Sequence, residues 1–155
     1  MATHTYRSTL SWRGSTGVGY ERYDRTHRLS TPPAERALTM SGDTAFGGDG
    51  RLMNPEGLLL AAASSCQMLS FLALAARSRV DVLAYDDEAE ALMPEDDEPV
   101  RITQITLRPR IQVAAGSNLD RAHRLVDKAH DTCYVANSLR TEIEIEASIS
   151  EAEAH

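Results

Sequence analysis

Cys66 and Cys133 are the two cysteines of this 155-residue chain, 67 positions apart, and each reads as part of the apolar face of a helix. In a reducing compartment such a pair is rarely a structural staple and serves more often as nucleophile, metal ligand or packing group. As a nucleophile a thiol needs help: an ordinary pKa near 8.5 leaves only about 3% thiolate at neutral pH. Lowering that pKa to about 6 takes about 3.4 kcal/mol in favour of the anion. Cys66 lies about three turns into its helix, beyond the reach of the helix dipole. An arginine brought in from elsewhere is therefore the expected activator, and plain core packing of both thiols is the alternative.

Glu56 is the acid placed to hold such an arginine. Ten residues of helix separate it from Cys66, about 15 Å of axial rise, so either a long arginine spans the two or Glu56 serves the cysteine of a second subunit. On its own, Glu56 also reads as a first-turn acid that favours the helix start. His123, His130 and Cys133 recur at helical spacing but match no zinc signature, and no metal site is expected. His130, one turn before Cys133, is a weak candidate for stabilising a thiolate. Neither a phosphate-cradling glycine loop with lysine nor a Gly-x-Ser-x-Gly nucleophile turn occurs.

The elements that must position these residues follow from local pattern. Tyr6, Leu10 and Trp12 alternate with polar residues as a half-buried strand does, Gly14–Gly17 reads as a turn, and a hairpin through Val18 to Leu29 is expected next. Pro32-Pro33 ends it, and the stretch from Ser41 to Gly50 reads as a long flexible loop, a kind that is often functional. Asn54-Pro55-Glu56 supplies a cap, a preorganised first residue and a favourable charge for a helix running to about Ser78. A strand from Val80 to Leu92, an acidic turn bracketed by Pro94 and Pro99, and a strand carrying Ile105, Leu107, Ile111 and Val113 follow, with Pro109 marking an edge or bulge. Ser117-Asn118-Leu119-Asp120 resembles a capping box, opening a second helix that ends near Cys133. Ile143, Ile145, Ala147 and Ile149 form the last strand. The expectation is one α+β domain over residues 1–155.

Composition narrows the partners. A net charge of −7, with Lys128 as the one lysine among sixteen basic residues, argues against nucleic acid. The N-terminus lacks the apolar core of a secretory signal, so a cytoplasmic protein is expected. Gly57 to Ala76 is free of charge over 20 residues, the length of a bilayer span. Serines, Cys66 and Gln67 dilute it and no second such stretch exists, which favours a helix buried on nearly all sides over a membrane anchor. One sheet of this size cannot cover it, so a partner subunit is expected.

Asn54-Pro55-Glu56-Gly57-Leu58-Leu59, the Ala-rich helix with Ser65-Cys66, and Ala129-His130-Asp131-Thr132-Cys133 continuing to Val135, Asn137 and Ser138 resemble the osmotically inducible protein C and organic hydroperoxide resistance (OsmC/Ohr) family, in order and spacing across almost the whole chain. The resemblance implies an OsmC-like fold, an antiparallel sheet wrapped around a long central helix plus a second helix, in an intertwined homodimer with thiol peroxidase activity and no metal or organic cofactor. Cys66 would attack an organic hydroperoxide and become a sulfenic acid, Cys133 would resolve it as a disulfide, and an external dithiol or a lipoylated protein would reduce that bond. It also implies that Glu56 pairs with an arginine activating Cys66. Arg13, in the first turn, and Arg51, just before the Asn-Pro-Glu motif, are the candidates. Tyr134 and Ala136 depart from the residues common in the family. A dimer of this fold that binds a small molecule or lipid, with little peroxidase turnover, is the alternative function.

Overall fold

The computed structural model describes residues 1–155 and divides into two compact units, 1–58 and 59–155. In the first, strands β1 (Thr9–Ser11), β2 (His27–Ser30) and β3 (Leu38–Met40) form an antiparallel sheet in that order. The expected hairpin arm from Val18 shrinks to β2, because side chains capture the intervening backbone: Ser15 Oγ accepts the Gly17 N–H at 3.2 Å, and Asp24 Oδ1 accepts the Thr26 N–H at 2.8 Å. Such local bonds compete with a strand ladder. The same chemistry orders the glycine-rich stretch that reads as flexible. Asp43 accepts the Ala45 N–H through its side chain and the Gly48 N–H through its carbonyl, Ser41 Oγ accepts the Asp49 N–H, and Asp49 accepts the Arg51 N–H. A Cβ on Gly48 would overlap the Gly42 carbonyl, so only glycine permits this close approach.

Helix α1 (Pro55–Arg77) opens as the sequence dictates, with Asn54 Oδ1 accepting the Gly57 N–H at 2.7 Å and Glu56 in the first turn. It ends where Arg79 takes the left-handed conformation (φ 59°) and the Val80 N–H reaches back to the Ala75 carbonyl. Beyond it come β4 (Val82–Asp87), β5 (Glu90–Leu92), β6 (Gln104–Leu107), β7 (Pro109–Val113), α2 (Leu119–Thr132), the one-turn α3 (Tyr134–Asn137), β8 (Glu142–Ile145) and β9 (Ser148–Glu151).

The α+β class is as expected, but each of the three long strands read from the sequence breaks in the middle. The halves sort into two sheets, β4-β7-β9 and β5-β6-β8. At the break Asp87 Oδ1 takes the Arg108 N–H at 2.7 Å, and Pro109 has no N–H to give. The sheets are mixed rather than antiparallel throughout: β6 pairs β8 and β7 pairs β9 in parallel, with α2 and α3 as the crossover. The α2 cap also lies one residue later than a capping box on Ser117 requires. Asn118 Oδ1 accepts the Arg121 N–H at 2.9 Å, whereas the Ser117 hydroxyl donates to the Ala114 carbonyl.

Phe71 and Ala75 of α1, Ile111 and Val113 of β7, and Ala122, Leu125, Val126 and Ala129 of α2 make the main core. A smaller cluster joins Ala63 to Ile105 and Leu107 of β6. Leu59, Leu60, Leu72 and Leu74 of α1 are partly buried against these clusters, whereas Ala61, Ala62, Ser65, Leu69, Ala73 and Ala76 are exposed. By length and composition α1 could cross a membrane, and only 22% of its most apolar window is buried.

Candidate functional site

The two thiols meet. Cys66 comes from the middle of α1 and Cys133 from the residue joining α2 to α3, and their side chains are within hydrogen-bonding reach of one another. Both are free, Cys66 partly exposed and Cys133 only 1% exposed. What brings Cys133 there is a turn locked by Asn137: its Nδ2 donates to the Cys133 and Asp131 carbonyls, each at 3.0 Å, while its N–H bonds to the Cys133 carbonyl at 3.0 Å. This fixes the first turn of α3 so that its backbone N–H groups converge on the sulfurs.

Those amides set the two thiols apart. Burial pushes Cys66 up, but the N–H of Val135, the S–H of Cys133, the N–H of Tyr134 and the Ser70 hydroxyl all favour its anion, and the net effect lies below an ordinary thiol. For Cys133 burial also pushes upward. The Ala136 and Val135 amides oppose it, but the neighbouring Cys66 sulfur adds to the rise, and Cys133 stays above the ordinary value. Of the two, Cys66 is the thiol whose anion is favoured and which can be reached, and Cys133 beside it is the one whose anion is disfavoured. The donors at Cys66 thus include an amide fan from α3, a source separate from the arginine that the sequence suggests.

Sequence reasoning missed Ser70 and the positioning role of Asn137. Ser70 had a signal, a polar residue four positions after Cys66 on an apolar helix. The amides had none, since no side chain marks them. Gln67, read from the sequence only as a polar residue diluting an apolar helix, is fully buried beside Cys66; it donates through Nε2 to the Val126 carbonyl at 3.1 Å and ties α1 to α2, while its Oε1 has no partner.

In the first unit, Arg13 is exposed and donates to the carbonyl of its neighbour Trp12 at 2.9 Å. Arg51 forks onto Asp49 at 3.0 and 2.8 Å and holds that carboxyl at about 2. Glu56 pairs with neither. A further arginine, Arg25, is the best fixed there. It stacks 3.9 Å from the Tyr23 ring and 4.8 Å from the Tyr20 ring and donates to both their carbonyls. It lines a concavity of about 540 Å³ with Leu10, Trp12, Tyr20, Tyr23 and Phe46. No group of three or more histidine, cysteine or acidic side chains is arranged to hold a metal ion.

A family model described as "OsmC-like protein" matches residues 48–148. The uncharacterized protein YmaD of Bacillus subtilis (strain 168) is 26% identical over 155 residues, covering 96% of this chain and 97% of that protein. Among solved structures, an OsmC-like protein of unknown function from Vibrio cholerae superposes with a TM-score of 0.85 at 24% identity, covering 94% of this chain and all of that one. The organic hydroperoxide resistance protein OhrB of Bacillus subtilis superposes with a TM-score of 0.62 at 17% identity, covering 96% of this chain and 100% of its own. At these identities the structural likenesses speak for the fold.

Proposed function

This chain belongs to the OsmC-like protein family, and from that premise we propose that it is a cytoplasmic, cysteine-based peroxidase that reduces organic hydroperoxides to alcohols. The observation that carries the reading is the unequal thiol pair: Cys66 is partly exposed and favoured as an anion, and Cys133 beside it is buried and disfavoured as one. The Cys66 thiolate attacks the terminal oxygen of the hydroperoxide. The O–O bond breaks, the alkoxide leaves and takes a proton to become the alcohol, and Cys66 carries the hydroxyl as a sulfenic acid. The Cys133 sulfur then attacks Cys66, water departs with the Cys133 proton, and a disulfide forms. An external dithiol, small or carried as a lipoyl group on a protein, returns the two electrons. The reaction calls for no metal or organic cofactor.

Glu56 and an arginine enter this reading as helpers of the thiolate, with Arg13 and Arg51 as the first candidates and Arg25 added on the strength of its fixed geometry. Glu56 and Cys66 stand too far apart on one helix to touch, so the reading gives Glu56 to the partner's site in a homodimer. The bare apolar stripe of α1 supports that assembly, because a second copy would cover it, with an interface of more than about 2,000 Å² for a permanent dimer. The aromatic concavity of the first unit favours a second reading, a dimer that binds a small apolar molecule with little turnover. Consumption of cumene hydroperoxide by the reduced protein with dithiothreitol separates the two. Turnover lost in Cys66→Ser is expected, and no consumption above the thiol blank by the parent protein would leave the binding reading.

A further inference from the structure

A second hollow, of about 300 Å³, lies between α1 and β4 and is lined by Ala61, Ser64, Ser65, Met68, Tyr85 and Asp87. Ser64 and Cys66 are two residues apart, roughly 200° around the helix, so this hollow is separate from the thiols and independent of the peroxidase reading. Tyr85 and Asp87 are alternate residues of β4 and share its partly buried face, with the exposed Asp86 between them on the other. A carboxylate on such a face ordinarily has a cationic partner. Asp87 takes part in none of the five ion pairs, because Arg108 binds Glu90 and Glu146, and Arg110 binds Glu88. Neutral donors hold it instead: the Ser64 hydroxyl on Oδ2 and the Arg108 N–H on Oδ1 at 2.7 Å. The bond to Ser64 fixes the carboxylate against the α1 wall of the hollow, and both oxygens keep a lone pair to accept with. Tyr85 Oη is buried without a protein partner, while its ring packs 5.9 Å from that of Phe71. Burial, and then the Asp87 charge, raise the Tyr85 pKa, so it stays a phenol with a proton to give.

The hollow thus combines a negative charge without a counter-charge, a phenol proton without an acceptor, and small apolar walls. No single group answers both polar features. An ammonium suits the carboxylate but cannot accept from Tyr85, and a hydroxyl suits Tyr85 but leaves the charge unpaired. We infer that Asp87, Tyr85 and Ser65 form a binding site for a short amino alcohol. Its ammonium donates to Asp87 and to the Ser65 hydroxyl at the rim, its hydroxyl oxygen accepts the Tyr85 proton, and its carbons lie along Ala61 and Met68. A hollow of this volume is at the small end of ligand sites, which limits the ligand to a few heavy atoms and its Kd to on the order of 1 mM.

The test is a titration followed by amide NMR, at neutral pH and matched ionic strength, on the full chain in the assembly it forms. Ethanolamine is compared with propylamine and ethylene glycol, which replace its hydroxyl or its amine in a molecule of equal size. Ethanolamine should shift the Ser64, Ser65, Tyr85 and Arg108 amides to saturation. Propylamine should bind about tenfold more weakly, the worth of one hydrogen bond, and ethylene glycol should not saturate. Tyr85→Phe should make ethanolamine and propylamine bind alike without lowering the urea midpoint, since the phenol has no protein partner to lose. Asp87→Asn should abolish binding of both amines, and Cys66→Ser should change neither. Where Asp87→Asn does not fold, Tyr85→Phe carries the test alone. Shifts that fail to saturate, ethylene glycol binding as well as the amines, propylamine matching ethanolamine in the parent, or a preference for ethanolamine that survives Tyr85→Phe would each overturn the site.

Discussion

Helices α1 and α2 each deliver one thiol, and they treat their surfaces in opposite ways. In α2 the apolar residues Ala122, Leu125, Val126 and Ala129 are buried and the intervening positions are charged or polar and face solvent. It is finished within one chain, and Cys133 at its end is sealed, with its anion disfavoured. In α1 the buried residues Ala63, Gln67, Phe71 and Ala75 occupy one side, while an apolar stripe through Ala62, Leu69 and Ala73 has nothing over it. Leu69 is 60% exposed. Cys66 sits between these two sides, which is why it is reachable while still receiving donors from α3. A complete helix shelters Cys133, and an incomplete one presents Cys66.

The largest effect that can break this contrast is on the finished side. Phe71 is fully buried among residues of α1, α2 and β7, so Phe71→Ala should cost about 3–5 kcal/mol, read as a fall in the urea midpoint. A loss below 1 kcal/mol, far under that range, would mean that the core can close around the gap and that the two sides of α1 differ less than described. On the bare side, Leu69→Asp should leave the urea midpoint of the isolated protomer nearly unchanged and weaken dimerisation by a hundredfold or more, about 2.7 kcal/mol, measured by sedimentation across a concentration series. A parent protein that is monomeric at micromolar concentration would refute a second copy as the cover.

The smallest effect sharpens the thiol contrast itself. Because the Cys66 thiolate is favoured, its alkylation should switch on at a lower pH than that of a free thiol, and Cys133 should follow only at higher pH. In Cys133→Ala one donor to the anion is gone, so the Cys66 profile should move up in pH. Arg13→Ala, Arg51→Ala, Arg25→Ala and Glu56→Gln belong in the same titration. An upward move in an arginine variant identifies the guanidinium that assists the amides, and no move in any of them assigns the activation to α3 and Ser70.

Much of this was legible in the sequence where a side chain marks the event. Asn54-Pro55-Glu56 announced the start of α1 to the residue, and the alternation of apolar residues placed the strands. Their division into two sheets was hidden, because the two-residue period runs through Arg108 and Ala147 without a change of phase, and only Pro109 hinted at a break. Parallel pairing depends on how α2 crosses over, which no local pattern records. At the site, the two cysteines were plain, but half of the chemistry around Cys66 is backbone. The order in the Ser41–Gly50 loop was missed for a related reason: glycine content reads as freedom, whereas here the serine and aspartate side chains bind the backbone turn by turn.

The central claim is that Cys66 attacks a hydroperoxide and Cys133 resolves the product. The direct measurement is mass spectrometry of tryptic peptides after one equivalent of cumene hydroperoxide. A Cys66–Cys133 linked peptide is expected in the parent, and in Cys133→Ser a sulfenic acid on Cys66 that advances to sulfinic acid with excess peroxide. Two free thiols recovered after peroxide, with no linked peptide, would contradict the account.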